Sequence, residues 1–172
     1  MMGTGRIHMY YGDGKGKAAV GQAVRAAGYG LQVLFFQFLK DNSSNERKIL
    51  EAVPGITCLP GRDQVKFVSR MNGDEKAELR HYNNKALDEI VKFCTNFDVL
   101  VLDEALCAIH LNVLSEEKIR SFLEHKPRGL EVILTGHEVS QDMLDLADYA
   151  TMMMKVKHPY DRKVMAREGI EF

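Results

Sequence analysis

Short runs of apolar residues alternate along this chain with longer stretches in which apolar residues recur every three or four positions. The short runs predict strands at residues 6–11, 31–40, 56–59, 97–104, 130–136 and 150–157. The longer stretches predict helices at residues 17–28, 45–53, 74–94, 115–126 and 140–147. Because this alternation is typical of βαβ units, the pattern predicts an α/β fold: an open, mostly parallel sheet of five or six strands with helices on both faces.

Individual residues indicate where these elements end and which faces are buried. Gly28 is a C-cap signal for the first helix, and Ser115 and Ser140 are N-cap signals for two later helices. Residues 60–73 have weak periodicity and are expected to form an irregular segment, part of a binding loop. In the long helix, one stripe is predicted to face the core: Leu79, Tyr82, Ala86, Ile90 and Phe93.

Length and composition restrict the classes of protein that fit. With 172 residues, 45% hydrophobic and 27% charged, the chain is expected to form a single domain over residues 1–172. A net charge of −1 gives no reason to expect binding to nucleic acid or to an anionic membrane, and no apolar run reaches the roughly 20 residues of a membrane span. Three widely spaced cysteines, Cys58, Cys94 and Cys107, are expected to be reduced, half-buried thiols, with a cytoplasmic location as the default.

The segment GDGKGK at residues 12–17 lies between the first predicted strand and the first predicted helix. A glycine-rich loop there can present several backbone N–H groups to one anion, and the positive end of the helix dipole adds to their effect. Lys15 and Lys17 supply charge, and Lys17 stands where a P-loop lysine meets the terminal phosphates. The segment predicts a phosphate site; a tight turn with surface lysines is the alternative. Tyr11 and Ala18 depart from the strict P-loop pattern, which has Gly and Ser or Thr there.

Two carboxylates, Asp103 and Glu104, end the predicted strand at residues 97–104. The carboxyl ends of parallel strands are where α/β proteins bind ligands, and Mg²⁺ prefers oxygen ligands. We therefore expect a magnesium ion held by these side chains, phosphate oxygens and water, with no hydroxyl from Ala18. In the alternative, one carboxylate caps the following segment and the other is solvated.

Five segments, in this order, carry a more specific resemblance: GDGKGKAAVGQAVRAAGYG, QFLK with NERKILE, VLVLDE, VILTGHEVSQDMLDLADYAT and VKHPYDRKVMAREGIEF. Together they resemble the P-loop-type ATP:corrinoid adenosyltransferases over nearly the whole chain. The resemblance implies a P-loop NTPase-like (RecA-like) fold. It also implies transfer of the 5′-deoxyadenosyl group of ATP to the Co(I) of a reduced corrinoid, with release of triphosphate, in adenosylcobalamin biosynthesis or salvage.

The resemblance also implies roles for residues. Lys17 and Glu104 are the expected catalytic residues, since Lys17 neutralises the triphosphate and Glu104 serves the magnesium. Phe67 and Gln37 are expected to contact the corrinoid, and Lys40 is a candidate ligand contact. Phosphate and ATP contacts are expected from Gly12, Asp13, Gly14, Lys15, Gly16, Lys17, Ala18, Arg25 and His137.

Two of these expectations have simple alternatives. Arg25 is expected to reach the nucleoside end of ATP, and a solvated arginine is the alternative. The C-terminal tail at residues 158–172 is expected to fold across the site, and a frayed terminus is the alternative. The family further suggests a homodimer and a flavin-type reductant.

Three departures from the family pattern bear on activity. Ala18 replaces Thr, His137 stands where many relatives have Arg, and the chain has no Trp, which some relatives use together with a Phe to displace the lower cobalt ligand. An active adenosyltransferase is the leading hypothesis. The alternatives are a catalytically weakened corrinoid- or ATP-binding relative that acts as a carrier or regulator, and a P-loop phosphotransferase or ATPase.

Overall fold

The sheet consists of parallel strands close to the predicted positions. The computed structural model describes residues 4–170, and within them the strands are β1 (Ile7–Gly12), β2 (Val33–Gln37), β3 (Ile56–Cys58), β4 (Val99–Asp103), β5 (Glu131–Gly136) and β6 (Tyr149–Met153). They are hydrogen-bonded in the order β3-β2-β4-β5-β1-β6, and every pairing is parallel. The strand before the glycine-rich loop, β1, is therefore separated by β5 alone from β4, the strand that ends in the carboxylates.

Helices connect the strands: α1 (Lys15–Tyr29), α2 (Asn45–Leu50), α3 (Gly73–Phe93), α4 (Ala105–His110), α5 (Glu116–His125) and α6 (Gln141–Leu144). Short 3₁₀ turns lie at Val68–Arg70, Cys94–Asn96 and Pro159–Arg162. Both serine caps are confirmed, because Ser115 accepts a hydrogen bond from the amide of Lys118 and Ser140 accepts one from the amide of Met143. Within residues 4–170, none of the helices combines the length and the apolar character that a bilayer span demands.

Alternate residues of strand β2 point into two separate cores. Val33 and Phe35 pack on one face with three alanines of helix α1 and with Leu50 of α2. Leu34 and Phe36 pack on the other face with apolar residues of helices α3 to α6. A strand covered on both sides can be apolar throughout, which explains the continuous apolar run in its sequence. The predicted α/β fold with helices on both faces of an open parallel sheet is confirmed.

Strands β2, β3, β4 and β6 end before their predicted last residues, β6 at Met153 rather than at residue 157. In β2 and β4 the reason is a backbone turn. Strand β2 ends at Gln37, and Leu39 just beyond it has a φ of 57°. Strand β4 ends at Asp103, since Glu104 has a φ of 60°. Such left-handed conformations end a ladder and are uncommon for residues with a Cβ.

Two predictions about helices are wrong, and one helix was missed. The C-cap of α1 is Gly30, with a φ of 102°, rather than Gly28. The stripe predicted on α3 is also shifted, since Phe93 is 46% exposed. The residues that α3 buries are Leu79, Asn83, Leu87 and Ile90. Helix α4 was not predicted, because its first four residues are all buried and therefore show no polar face.

Helix α4 packs directly against the end of strand β5 at Gly136. A Cβ atom there would lie 2.4 Å from the Cβ of Leu106 and 2.7 Å from the backbone nitrogen of Cys107. Because helix backbone cannot yield as a flexible side chain can, Gly136→Ala is expected to lower the free energy of unfolding by about 1–3 kcal/mol in urea denaturation. Gly21→Ala in α1 is the control: nothing lies within 4 Å of its Cβ position, so its stability should be kept or raised. Equal stabilities for the two variants would contradict the tight packing of α4.

Candidate active site

The glycine-rich loop leads directly into the first turn of helix α1. Gly12 and Gly14 have φ values of 93° and 80°, which glycine adopts without strain, and α1 begins at Lys15. The helix therefore starts two residues before the predicted Lys17. A helix leaves its first N–H groups without intrahelical acceptors. This turn thus presents backbone donors and the positive end of the helix dipole at the edge of the sheet.

Strand β6 supports the loop from its other side. The amide of Asp13 donates a hydrogen bond to the carbonyl oxygen of Met153 at 3.1 Å. A Cβ atom at Gly12 would lie only 2.1 Å from that same oxygen. Only glycine fits there, and the neighbouring strand helps to determine the shape of the loop.

The two lysines of the loop have different surroundings. Lys15 is 6% exposed, and its Nζ lies 3.2 Å from Oε1 of Glu104 and 2.9 Å from Nε2 of His137. Because an ammonium group can only donate, Nε2 of His137 is the acceptor in this contact. Lys17 has an exposed side chain. Lys15 is therefore paired with a carboxylate, whereas Lys17 is accessible to a ligand that arrives from solvent.

Asp103 lies at the centre of a buried hydrogen-bond network and is 1% exposed. Its Oδ1 accepts from the hydroxyl of Thr135 at 2.7 Å. Its Oδ2 accepts from the side-chain amide of Gln37 at 3.1 Å and from the ammonium of Lys40 at 3.2 Å. From the position that a Cβ would take at Gly16, Oδ1 lies 3.4 Å away and Oδ2 lies 3.9 Å away. Both carboxylate oxygens are therefore close to the phosphate loop, and Oδ1 is the nearer of the two.

Lys40 and Glu46 extend this network towards solvent. Nζ of Lys40 lies 3.2 Å from Oε1 of Glu46, and Gln37 donates to the same oxygen at 3.0 Å. Burial lowers the pKa of Lys40, but the charges of Asp103 and Glu46 outweigh burial, so the pKa is raised. Burial likewise raises the pKa of Glu46, but its backbone amide and Lys40 more than reverse this, so the pKa is lowered. Both groups are charged at neutral pH.

Glu104 adopts a strained backbone conformation beside the loop. Its φ of 60° and ψ of 12° are left-handed, which costs a residue with a Cβ about 1–3 kcal/mol. Its amide donates to the hydroxyl oxygen of Thr135 at 2.8 Å, and its carboxylate pairs with Lys15. The turn at Glu104 ends strand β4, begins helix α4 and leaves the carboxylate 17% exposed.

The thiol of Cys107 lies against Glu104. All three cysteines are free, as predicted, although Cys94 and Cys107 are buried and only Cys58 is half-buried. Burial raises the pKa of Cys107 to about 12, and a hydrogen bond to Glu104 and the charge of Glu104 add to this effect. The sulfur also accepts a hydrogen bond from the amide of His137 at 3.2 Å. This thiol stays protonated at neutral pH.

Cys107 is expected to resist alkylation in the native protein. The thiolate is the reactive form, so iodoacetamide at pH 8 should modify the half-buried Cys58 well before Cys107. Mass spectrometry of peptides after timed quenching measures both rates. In the urea-unfolded protein, which is the control, the two should react alike. Equal rates in the native protein would contradict the burial of Cys107 against Glu104.

Asp103 and Glu104 suit a magnesium ion that arrives with a nucleotide. Magnesium usually keeps several waters and takes one or two carboxylates together with phosphate oxygens. The carboxylate of Asp103 lies against the loop with Oδ1 the nearer oxygen, and the carboxylate of Glu104 pairs with Lys15 of the same loop. Within residues 4–170, no group of three or more His, Cys, Asp or Glu side chains is arranged to hold a metal ion. The donor set therefore fits magnesium only with phosphates as further ligands.

Other predicted ligand residues lie outside this hydrogen-bonded cluster. Arg25 is exposed on α1, about 10 Å along the helix axis from Ala18. Phe67 is 74% exposed, and the guanidinium of Arg70 lies 5.6 Å from its ring centroid. The tail is exposed throughout residues 158–170, and its last two predicted residues lie outside the described part of the chain.

The sequence matches one protein family along almost its full length. Residues 3–172 match the family described as ATP:corrinoid adenosyltransferase BtuR/CobO/CobP. The chain belongs to this family. The corrinoid adenosyltransferase CobA of Salmonella typhimurium is 32% identical over 98% of this chain and 86% of its own length. The corrinoid adenosyltransferase of Escherichia coli K12 is 31% identical over the same shares, and that of Pseudomonas aeruginosa is 28% identical over 96% of this chain and 82% of its own. The resemblance inferred from the sequence is confirmed.

Two solved structures are more distantly similar to this adenosyltransferase-family chain. EssC (ATPases 2 and 3) from Geobacillus thermodenitrificans is 14% identical with a TM-score of 0.48, over 86% of this chain and 32% of that chain. EccC (ATPases 2 and 3) from Thermomonospora curvata, in complex with a signal sequence peptide, is 14% identical with a TM-score of 0.42, over 87% and 30%. The chain thus spans about a third of each.

Three residues around the site of this family member were not predicted from the sequence: Glu46, Cys107 and Thr135. Thr135 lies near the end of the strand predicted at residues 130–136, so the strand-end argument that identified Asp103 applies to it as well. Glu46 lies in the first turn of α2 and carries no comparable signal. Its contact with Lys40 depends on how the segment after β2 folds back.

Proposed function

We propose that this protein transfers the 5′-deoxyadenosyl group of ATP to the cobalt of a Co(I) corrinoid and releases triphosphate. The lone pair of Co(I) attacks the 5′ carbon, the bond from that carbon to the triphosphate oxygen breaks, and the triphosphate leaves with the bonding pair. Cobalt becomes formally Co(III). The observation that carries the proposal is the position of the first turn of α1 beside Asp103 and Glu104 in a member of this family.

The residues of the loop act through position and charge. The nucleophile carries no proton, so the displacement requires no general base. Its barrier depends on alignment of the 5′ carbon and on stabilisation of negative charge on the leaving triphosphate. The amides of residues 14–17 and the exposed ammonium of Lys17 provide that stabilisation. Lys15 holds Glu104 in place from the buried side of the loop.

Magnesium is the proposed metal of the site, with Asp103 and Glu104 as its protein ligands. When bound, it would add positive charge along the triphosphate and so favour departure of the leaving group. The contribution of the chain is to keep the two carboxylates oriented. Gln37 and Lys40 hold Oδ2 of Asp103, and Oδ1 is the carboxylate oxygen nearer to the loop.

Phe67 is the proposed corrinoid contact. An exposed aromatic ring suits a large flat macrocycle. Residues on either side of Phe67, including Lys66 and Met71, line a cavity of about 340 Å³ together with the start of α3, although Phe67 itself does not line it. Gln37, also expected to contact the corrinoid, is 2% exposed and donates to Asp103 and Glu46. We propose instead that Gln37 orients the carboxylate of Asp103.

The proposal is tested anaerobically with ATP, magnesium and a chemically reduced corrinoid. Loss of the Co(I) absorbance and formation of the adenosylated corrinoid are expected only when both ATP and protein are present. Replacing ATP with AMP provides the control, because AMP lacks the triphosphate leaving group. Protein that binds ATP and corrinoid but leaves the Co(I) spectrum unchanged would contradict the proposed reaction.

Ala18 favours a second candidate function, a weakened relative that binds ATP or corrinoid as a carrier or regulator. Ala18→Thr adds the hydroxyl of the strict P-loop pattern and is expected to raise ATP affinity in the presence of magnesium by up to about tenfold. Calorimetry with and without magnesium measures this. Ala18→Val, which has nearly the same volume as Thr, should show no gain. Binding without turnover in the wild type and turnover in Ala18→Thr would favour the second candidate.

Several finer expectations belong to the same proposal. ATP contacts from Arg25, a homodimer, a flavin-type reductant and a cytoplasmic location are expectations from the sequence. We also propose that the exposed tail at residues 158–170 closes over bound substrates. Limited proteolysis within this tail should slow when ATP and corrinoid are added.

A further inference from the structure

Strands β4 and β5 separate at their carboxyl ends. Their backbone pairing ends at Leu102 with Leu134, whereas β5 continues beside β1 to Gly136. Beyond this point the amide of Glu104 donates to the hydroxyl oxygen of Thr135 at 2.8 Å. A side-chain hydroxyl therefore takes the place of a backbone acceptor where the two strands diverge.

The same hydroxyl also binds Asp103. Thr135 is 0% exposed, and its Oγ1 donates to Oδ1 of Asp103 at 2.7 Å. A hydroxyl has a single proton, so it donates to the carboxylate while it accepts from the amide of Glu104. The branched Cβ restricts rotation about χ1 and thus fixes the direction of both bonds.

The carboxylate oxygen that Thr135 holds is the one nearer to the phosphate loop. Oδ1 of Asp103 lies 3.4 Å from the Cβ position of Gly16, whereas Oδ2, which Gln37 and Lys40 bind, lies 3.9 Å from it. By accepting from the amide of Glu104, Thr135 also stabilises the left-handed turn from which that carboxylate projects. One hydroxyl thus contacts both acidic residues, Asp103 through its side chain and Glu104 through its backbone amide.

We propose that Thr135 is a positioning residue for adenosyl transfer, which aims Asp103 and Glu104 at magnesium-bound triphosphate. The inference rests on the proposed function. Without the hydroxyl, the amide of Glu104 and Oδ1 of Asp103 lose a shared partner and reorient. Binding of ATP that depends on magnesium is then weakened, while binding through the amides of residues 14–17 and Lys17 is preserved.

The test compares Thr135→Val, which removes the hydroxyl at nearly constant volume, with Thr135→Ser, which retains it. In calorimetric titrations of ATP over a magnesium series, Thr135→Val should raise the half-saturating magnesium concentration about 10- to 100-fold. It should lower kcat by a similar factor. The ATP affinity of Thr135→Val without magnesium should stay within about twofold of the wild-type value. In Thr135→Ser, the half-saturating magnesium concentration and kcat should both lie within about threefold of the wild-type values. Urea denaturation establishes that each variant is folded.

Weaker ATP binding by Thr135→Val to the same extent with and without magnesium would overturn the proposal, because a purely structural role has that result. Thr135→Ser behaving like Thr135→Val would also overturn it. If Thr135→Val does not fold, Thr135→Cys, which keeps a weak donor, replaces it. The half-saturating magnesium concentration of Thr135→Cys should then rise by an intermediate factor, and no rise would overturn the proposal. Wild-type protein that binds magnesium-ATP without transferring adenosyl would refute the proposed function, while the magnesium series still decides the role of Thr135.

Discussion

Asparagine at position 103 is expected to reduce adenosyl transfer about 100- to 1,000-fold. Asp103 accepts hydrogen bonds from Thr135, Gln37 and Lys40. The asparagine side chain offers one acceptor oxygen, and its NH₂ group must face one of these donors. Lys40 therefore loses a counter-charge, and the polar groups presented to the loop change. The kcat/KM for loss of Co(I) absorbance measures the effect on activity. The free energy of unfolding in urea should fall by about 1.5–3 kcal/mol.

Asp88→Asn is the matched control for this substitution. Asp88 is exposed on α3 and pairs with Lys118 at 2.7 Å. Exposed pairs of this kind contribute at most about 1 kcal/mol. The activity of Asp88→Asn should equal that of the wild type. Wild-type activity in Asp103→Asn would refute the role given to the buried carboxylate.

Glutamine at position 17 is expected to weaken ATP binding about ten- to a hundredfold, because a charged contact to phosphate is lost. Lys17 is exposed, so the free energy of unfolding should be unchanged.

Glutamine at position 15 should instead change the stability of the protein. Lys15 is buried against Glu104, so its replacement leaves that carboxylate without its cation and lowers stability by about 1.5–3 kcal/mol.

Calorimetric titration with ATP and urea denaturation of both lysine variants provide the measurements. Lys92→Gln, on the last turn of α3, controls for the loss of one positive charge. If Lys17→Gln bound ATP like the wild type while Lys15→Gln did not, the phosphate lysine would be Lys15. The assignment of Lys17 would then be wrong.

The elements of the fold were predictable where burial leaves a pattern in the sequence. Strand β2 is covered on both faces, so its sequence is a continuous apolar run. The errors fall where tertiary contacts decide the backbone. Leu39 and Glu104 turn into the left-handed region although neither is glycine. Helix α4 follows Asp103 and Glu104 and buries its first four residues, so its sequence shows no helical periodicity.

The local parts of the site were predictable and its long-range contacts were not. The loop at residues 12–17 and the acidic pair at 103 and 104 are contiguous motifs, and their chemistry follows from residue type. The contact of Lys15 with His137 joins residues 122 positions apart. Lys15 is buried, whereas Lys17 is exposed. This difference depends on how α4 and β5 pack beside the loop. Neither spacing nor composition carries that information.

The phosphate product of anaerobic turnover tests the proposed chemistry most directly. With ATP, magnesium and Co(I) corrinoid, phosphorus NMR should show intact triphosphate, in equal amount to the adenosylated corrinoid formed. Attack at the 5′ carbon leaves no other phosphate product. ADP and inorganic phosphate in place of triphosphate would mean that a P–O bond is cleaved, and would contradict adenosyl transfer by this protein.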